Sequence, residues 1–170
     1  PPPVYMTFGS MSAGDPSARG TVTLLSEAVR LAGCRAIIQT DLISPGDGST
    51  SPDIFYLAHA EHHRVFPRCA AVVHHGGAGT SHAASRAGCP SIVVEHVTDQ
   101  AFWGGMLHRA GIAPAVLHRR TVNAGVLARA IRNVLSSPAM REKARGIGES
   151  MQKEDGVKRA VALIGEQRRR

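Results

Sequence analysis

The segment Ala71-Val72-Val73-His74-His75-Gly76-Gly77-Ala78-Gly79-Thr80-Ser81-His82 decides how the rest of the chain is read. A short apolar run stops at two histidines and a cluster of glycines, and a helix is expected to begin at Thr80 or Ser81. The pattern is strand, glycine turn, helix N-terminus. Glycine lets backbone come close to a ligand, while unpaired N–H groups and the positive end of the helix dipole point at it. Such a turn suits phosphate. About twenty residues on, after the apolar run Ile92-Val93-Val94, stands a second polar island, Thr98-Asp99-Gln100. A carboxylate accepts from neighbouring hydroxyls and an amide both donates and accepts, so the pair suits a sugar. A phosphate turn followed by a hydroxyl reader points to a nucleotide-sugar.

Other phosphate motifs fit less well. Gly77-Ala78-Gly79-Thr80-Ser81-His82 opens like the dinucleotide fingerprint G-x-G-x-x-G, but His82 replaces the third glycine. No acidic residue ends a strand at the right distance, since Glu95 comes too early and Asp99 lies beyond a further turn. A P-loop is excluded because the chain has no Gly-Lys-Ser/Thr. The histidines raise a metal site as an option: His59, His62 and His63 cluster, as do His74 and His75. No Glu or Asp completes a zinc spacing such as H-E-x-x-H, so no metal and no other cofactor is expected.

With 170 residues the chain fits one domain with a full core. No apolar run approaches the length of a membrane span, and Pro1-Pro2-Pro3-Val4-Tyr5 lacks the charged and apolar regions of a signal peptide. Three cysteines, Cys34, Cys69 and Cys89, are odd in number and widely spaced. They read as buried thiols in a reducing compartment, which makes a cytoplasmic location the expectation. The net charge of +7 suits an anionic ligand. The terminal Arg168-Arg169-Arg170 reads as a solvated end rather than a nucleic-acid site.

Periodicity predicts alternating strands and helices. Strands are expected at Val4–Phe8, Ala36–Ile38, Ile54–Leu57, Ala70–His74, Ser91–Val94 and Ile112–Leu117. Between them lie a helix from about Ser17 to a stop at Gly33, one from Thr80 to Ala87, and one around Phe102 to Ala110. Ser44 to Pro52 reads as a surface loop. Thr121 is expected to cap a long amphipathic helix, and Ser137-Pro138 to start another. A last helix, Gly156 to about Gln167, carries Val157, Val161 and Ile164 on one face. Trp103 reads either as a neighbour of the donor pocket or as core, the more frequent place of a large residue on an amphipathic helix. The sum is an α/β chain, a Rossmann-like doubly wound parallel sheet of about six strands. In such sheets ligands sit beyond the carboxyl ends of the strands. There the islands Gly9-Ser10, His59 to His62, His74 to Ser81 and Asp99-Gln100 should converge.

With these islands in place, the chain resembles the C-terminal, donor-binding half of a GT-B glycosyltransferase. More narrowly, it is similar to the UDP-glycosyltransferases that act on sterols, antibiotics and other lipophilic products. The residues that carry the resemblance are Phe8-Gly9-Ser10-Met11, Val65-Phe66-Pro67-Arg68, His74 to Thr80, Arg86-Ala87-Gly88-Cys89-Pro90, Asp99-Gln100 and Phe102-Trp103-Gly104. They span almost the whole chain in consistent order.

The resemblance implies that Ser10, His75, Gly77, Gly79 and Thr80 hold the donor diphosphate. It further implies that His59 and His62 face the nucleoside, and that Asp99 and Gln100 hold sugar hydroxyls. Plant members have a base-stacking tryptophan at the position of His59 and a ribose-binding glutamate at that of Ala83, so the nucleoside contacts differ here. The implied reaction is inverting transfer of a hexose, with UDP-glucose the expected donor, to a hydroxyl of a lipophilic acceptor. The catalytic base and the acceptor pocket belong to an N-terminal domain in this family. Residues 1–170 are then a single donor-binding domain without catalytic residues of its own, and Pro1–Pro3 the end of an interdomain linker. The alternative is a donor-binding subunit or stand-alone module, non-catalytic alone, as in split N-acetylglucosaminyltransferases.

Overall fold

A computed structural model describes residues 1–9, 18–43 and 51–167. Six short strands, β1 (Val4–Thr7), β2 (Ala36–Gln39), β3 (Ile54–Leu57), β4 (Ala71–His74), β5 (Ser91–Glu95) and β6 (Leu117–His118), form one sheet in the order β3-β2-β1-β4-β5-β6. All pairings are parallel. The helices are α1 (Ala18–Ala32), α2 (His62–Val65, continued by a 3-10 turn), α3 (Ala78–Arg86), α4 (Thr98–Arg109), α5 (Ala124–Leu135), α6 (Pro138–Gln152) and α7 (Gly156–Gln167). The expected doubly wound α/β sheet is the fold.

Buried runs make these strands: Val4, Tyr5 and Met6, and again Ala71, Val72 and Val73, are buried on both faces of the sheet. Alternate residues point to opposite layers. Val4, Met6, Val73, Ile92 and Val94 pack with Leu25, Ala28 and Val29 of α1 and with Leu127, Ile131 and Val134 of α5. Tyr5 and Val72 face the other way, onto Phe66, Ala84 of α3 and Cys89. A third cluster joins Val93 to Leu107 of α4 and Ala144 of α6. Two layers of helices thus enclose the sheet. Chain order runs outward from β1 to β3 and then outward from β4 to β6 in the opposite direction, so the winding reverses between β1 and β4. At such a switch point a crevice opens beyond the strand ends.

Four boundaries differ from the sequence reading by more than one residue. The sixth strand is Leu117–His118, paired with Val94 and Glu95, and not Ile112–Leu117. Ile112 and Ala113 are buried instead beside Leu107 and Ala144, and Pro114 has no N–H to give a ladder. The cap of α5 is Asn123, whose Oδ1 accepts from Val126 N at 3.0 Å; Thr121 turns back to His118 O. Helix α3 begins at Ala78 because Gly77 is already its extended N-cap. Helix α4 begins at Thr98, four residues earlier than expected. Ser137 does cap α6, accepting from Met140 N at 3.2 Å. The serine- and glycine-rich loop falls mostly outside the described residues.

Candidate functional site

The ends of β1 and β4 set the site. At Gly76 the backbone takes φ +90°, and a Cβ there would come within 2.8 Å of Val93 Cγ1 and 2.9 Å of the Gln100 carbonyl oxygen. Only glycine fits so close an approach. This packing sets the start of α3 beside the start of α4. Gly77 has no side chain with which to cap α3, and the first in-helix bond comes from Ser81 N to Gly77 O. The N–H groups of Ala78, Gly79 and Thr80 therefore form the positive end of the helix, which suits an anion.

The His75 ring lies across this turn. A Cβ on Gly77 would clash with its Nε2, and one on Gly9, which has φ +58°, would stand 3.4 Å from its Cε1. His75 is half-buried and its Nδ1 is enclosed without a hydrogen-bond partner among the described residues. Burial, and then neighbouring His96, hold its imidazole below the usual range, while Asp99 pulls the other way. His75, His96 and Asp99 thus share one electrostatic neighbourhood. His96, a residue the sequence reading did not place at the site, packs edge-on against Phe8 with ring centres 4.9 Å apart. Its place directly after β5 was the signal for this role.

His74 is fully buried at the end of β4, opposite Thr7. Gly76 N donates to its Nδ1 at 3.1 Å, so the proton of the neutral ring sits on Nε2, which has no partner among the described residues. Burial first, then His75 and His62, bring its pKa down to about 3. It stays neutral at ordinary pH.

On the far side of β1, His62 stacks on Phe66 with ring centres 4.4 Å apart and meets the Tyr5 ring edge-on. Burial and then His59 lower its pKa. His59 and His62 rim an open cleft of about 490 Å³ with Gly9 and Gln39; a second cleft, about 390 Å³, adjoins it beside α1. His59 is exposed. Gln39 Oε1 accepts from Tyr5 Oη at 2.9 Å, which holds the floor of this part.

Asp99 and Gln100 occupy the first turn of α4 and part company there. Asp99 is exposed, whereas Gln100 is buried and its Oε1 accepts from His96 N at 2.7 Å and Val97 N at 3.2 Å. Gln100 closes the turn that aims Asp99. Of the residues predicted from sequence, His75, Gly77, Gly79, Thr80, Asp99 and Gln100 gather at the α3–α4 side, and His59 and His62 at the β1–β3 side. Ser10 lies outside the described residues. No three His, Cys, Asp or Glu residues gather as a metal centre among the described residues. The cysteines are free, with Cys89 buried and burial raising the Cys69 pKa to about 11. No described helix is long and apolar enough to cross a membrane.

Known glycosyltransferases resemble the chain in sequence and in fold. A sterol 3-beta-glucosyltransferase of Arabidopsis thaliana is 34% identical over 94% of this chain and 26% of its own length. The vancomycin aglycone glucosyltransferase of Amycolatopsis orientalis is 40% identical over 68% of this chain and 27% of its own. The chain thus spans about a quarter of these relatives. Among solved structures, the glycotransferase of kitacinnamycin superimposes with TM-score 0.82 at 22% identity, covering 96% of this chain and 42% of that one. The glycosyltransferase VinC, determined in complex with dTDP, gives TM-score 0.72 at 22% identity, covering 90% and 38%. Residues 22–162 match the family described as erythromycin biosynthesis protein CIII-like, C-terminal domain. The chain belongs to that family of glycosyltransferase C-terminal domains.

Proposed function

We propose that this chain holds the nucleoside diphosphate of a sugar donor and, with an N-terminal acceptor-binding half, transfers a hexose with inversion to a hydroxyl of a lipophilic acceptor. The observation that carries the reading is the uncapped N-terminus of α3 at the switch point, with His75 laid across it. The diphosphate takes the N–H groups of Ala78, Gly79 and Thr80 and a hydrogen bond from His75. The nucleoside extends toward His59 and His62. Asp99 accepts from hydroxyls of the hexose, and Gln100 keeps that turn in place. As the sugar leaves, charge gathers on the diphosphate, where preorganised amides and the helix dipole stabilise it without a metal. A uracil or thymine nucleotide is the donor class, glucose its expected sugar. Relatives named for sterols and for an antibiotic aglycone support a lipophilic acceptor.

Calorimetry with UDP, dTDP and NAD tests the reading. The chain should bind UDP or dTDP weakly, because half a cleft keeps only part of the affinity. It should transfer no sugar, since the base belongs to the other half. Tight NAD binding without response to either nucleoside diphosphate overturns the donor site; turnover by this chain alone overturns the division of labour.

A further inference from the structure

Helix α4 carries two apolar faces, and the fold uses one. Its inner face is Gln100, Gly104 and Leu107, all buried. A Cβ on Gly104 would stand 2.7 Å from Val116 Cγ2 and 3.0 Å from Val93 Cγ1, so the helix is pressed against β5 and cannot roll. The outer face carries Phe102, Trp103 and Met106, which are 59%, 36% and 45% exposed. Trp103 is therefore not a core residue, contrary to the expectation from its helical setting. Phe102 and Trp103 meet edge-on with ring centres 5.4 Å apart, and the Arg109 guanidinium borders the patch, donating to Met106 Sδ at 2.9 Å. Val97, just ahead of the helix, is exposed as well.

Spacing ties this patch to the site. Asp99, Phe102, Trp103 and Met106 stand at i, i+3, i+4 and i+7, one stripe along the helix. The stripe begins at the carboxylate assigned to the sugar and turns apolar within one helical turn, about 5 Å further along. A transferred hexose has its acceptor beside it, so a flat hydrocarbon acceptor whose hydroxyl reaches the sugar would rest against the adjoining surface.

We infer that Phe102, Trp103 and Met106 form the donor half's wall of the acceptor site, taking a lipophilic ring system such as a sterol or polyketide. This rests on the proposed donor function. Aromatic faces and a thioether suit fused rings, since they offer broad contact without a polar group to desolvate.

Trp103 is the only tryptophan of the chain and reports on its own surroundings. Dehydroepiandrosterone, a 3β-hydroxysteroid, titrated in the presence of UDP, should shift its fluorescence to the blue in a saturable way. The double variant Phe102→Ser, Met106→Ser should weaken that response at least tenfold while melting temperature and UDP binding stay unchanged. A flat titration with UDP binding intact overturns this inference alone. A chain that binds neither UDP nor steroid overturns the donor reading with it. A blue shift that follows protein concentration without steroid, with doubled mass in sedimentation, overturns it by assigning the face to a second copy. In a two-half enzyme built on this chain, the same variant should raise KM for the acceptor at least tenfold with KM for the sugar donor unchanged. Loss of thermal stability in that enzyme instead would assign the face to packing against the other half and overturn the inference.

Discussion

His75 stands at the turn by position rather than by packing: it is half-buried, and its enclosed Nδ1 has no hydrogen-bond partner among the described residues. Replacing it with alanine should weaken UDP binding by roughly 1.5–3 kcal/mol, typical of a hydrogen bond to a charged group, and leave the melting temperature nearly unchanged. A large fall in melting temperature with unaltered affinity would make it a packing residue. His74 predicts the reverse pattern. Its pKa drops from 6.5 to about 3 on folding, so between those values the unfolded chain holds a proton that the folded chain lacks. Stability then falls on acidification through that window, by up to about 1.4 kcal/mol per pH unit from this ring. Urea titrations of the wild type and His74→Gln across the window should show the shallower slope in the variant; equal slopes would contradict the burial argument. The adjacent histidines were legible as a pair, but not which one was sealed in. That follows from the two-residue period of β4, which turns His74 into the layer beside α3.

At the scale of elements, helix starts were the weakest part of the sequence reading, because several residues could serve each one. Thr121 and Asn123 both have the chemistry of a cap, and only Asn123 reaches an amide of the first turn. Asn123→Ala should cost about 1 kcal/mol of stability and Thr121→Ala a few tenths, measured by thermal or urea unfolding. Helix α4 was predicted late because Thr98 and Asp99 are poor helix formers. They form the first turn because Gln100 Oε1 reaches back to His96 N and Val97 N. The consequence reaches the site: Asp99 and Gln100, read as one pair for the sugar, stand one exposed and one buried. The stop at Gly33 was legible, as was Ser137 with Pro138 opening α6.

Over the whole molecule, the core closes without α7. Val157, Val161 and Ile164, on one face as expected, are all exposed, so that face packs on nothing in the described chain. Ending the chain at Asp155 should therefore change its melting temperature little; a loss of cooperative unfolding would show that α7 supports the core. The alternation of apolar runs with amphipathic stretches determined the parallel α/β class, and the blocks from Phe8 to Gly104 determined the family. Both are local patterns: hydrophobic period and turn chemistry act over a few residues and are written in their order. Tertiary structure decided the strand order, hence the switch point, and with it which polar islands meet. It also decided which histidine is buried, that Gln100 is tied to the backbone, and that Trp103 faces outward. Each depends on packing between segments far apart in sequence, where the close approach of Gly104 to Val93 and Val116 chooses the buried side of a helix that is apolar on two.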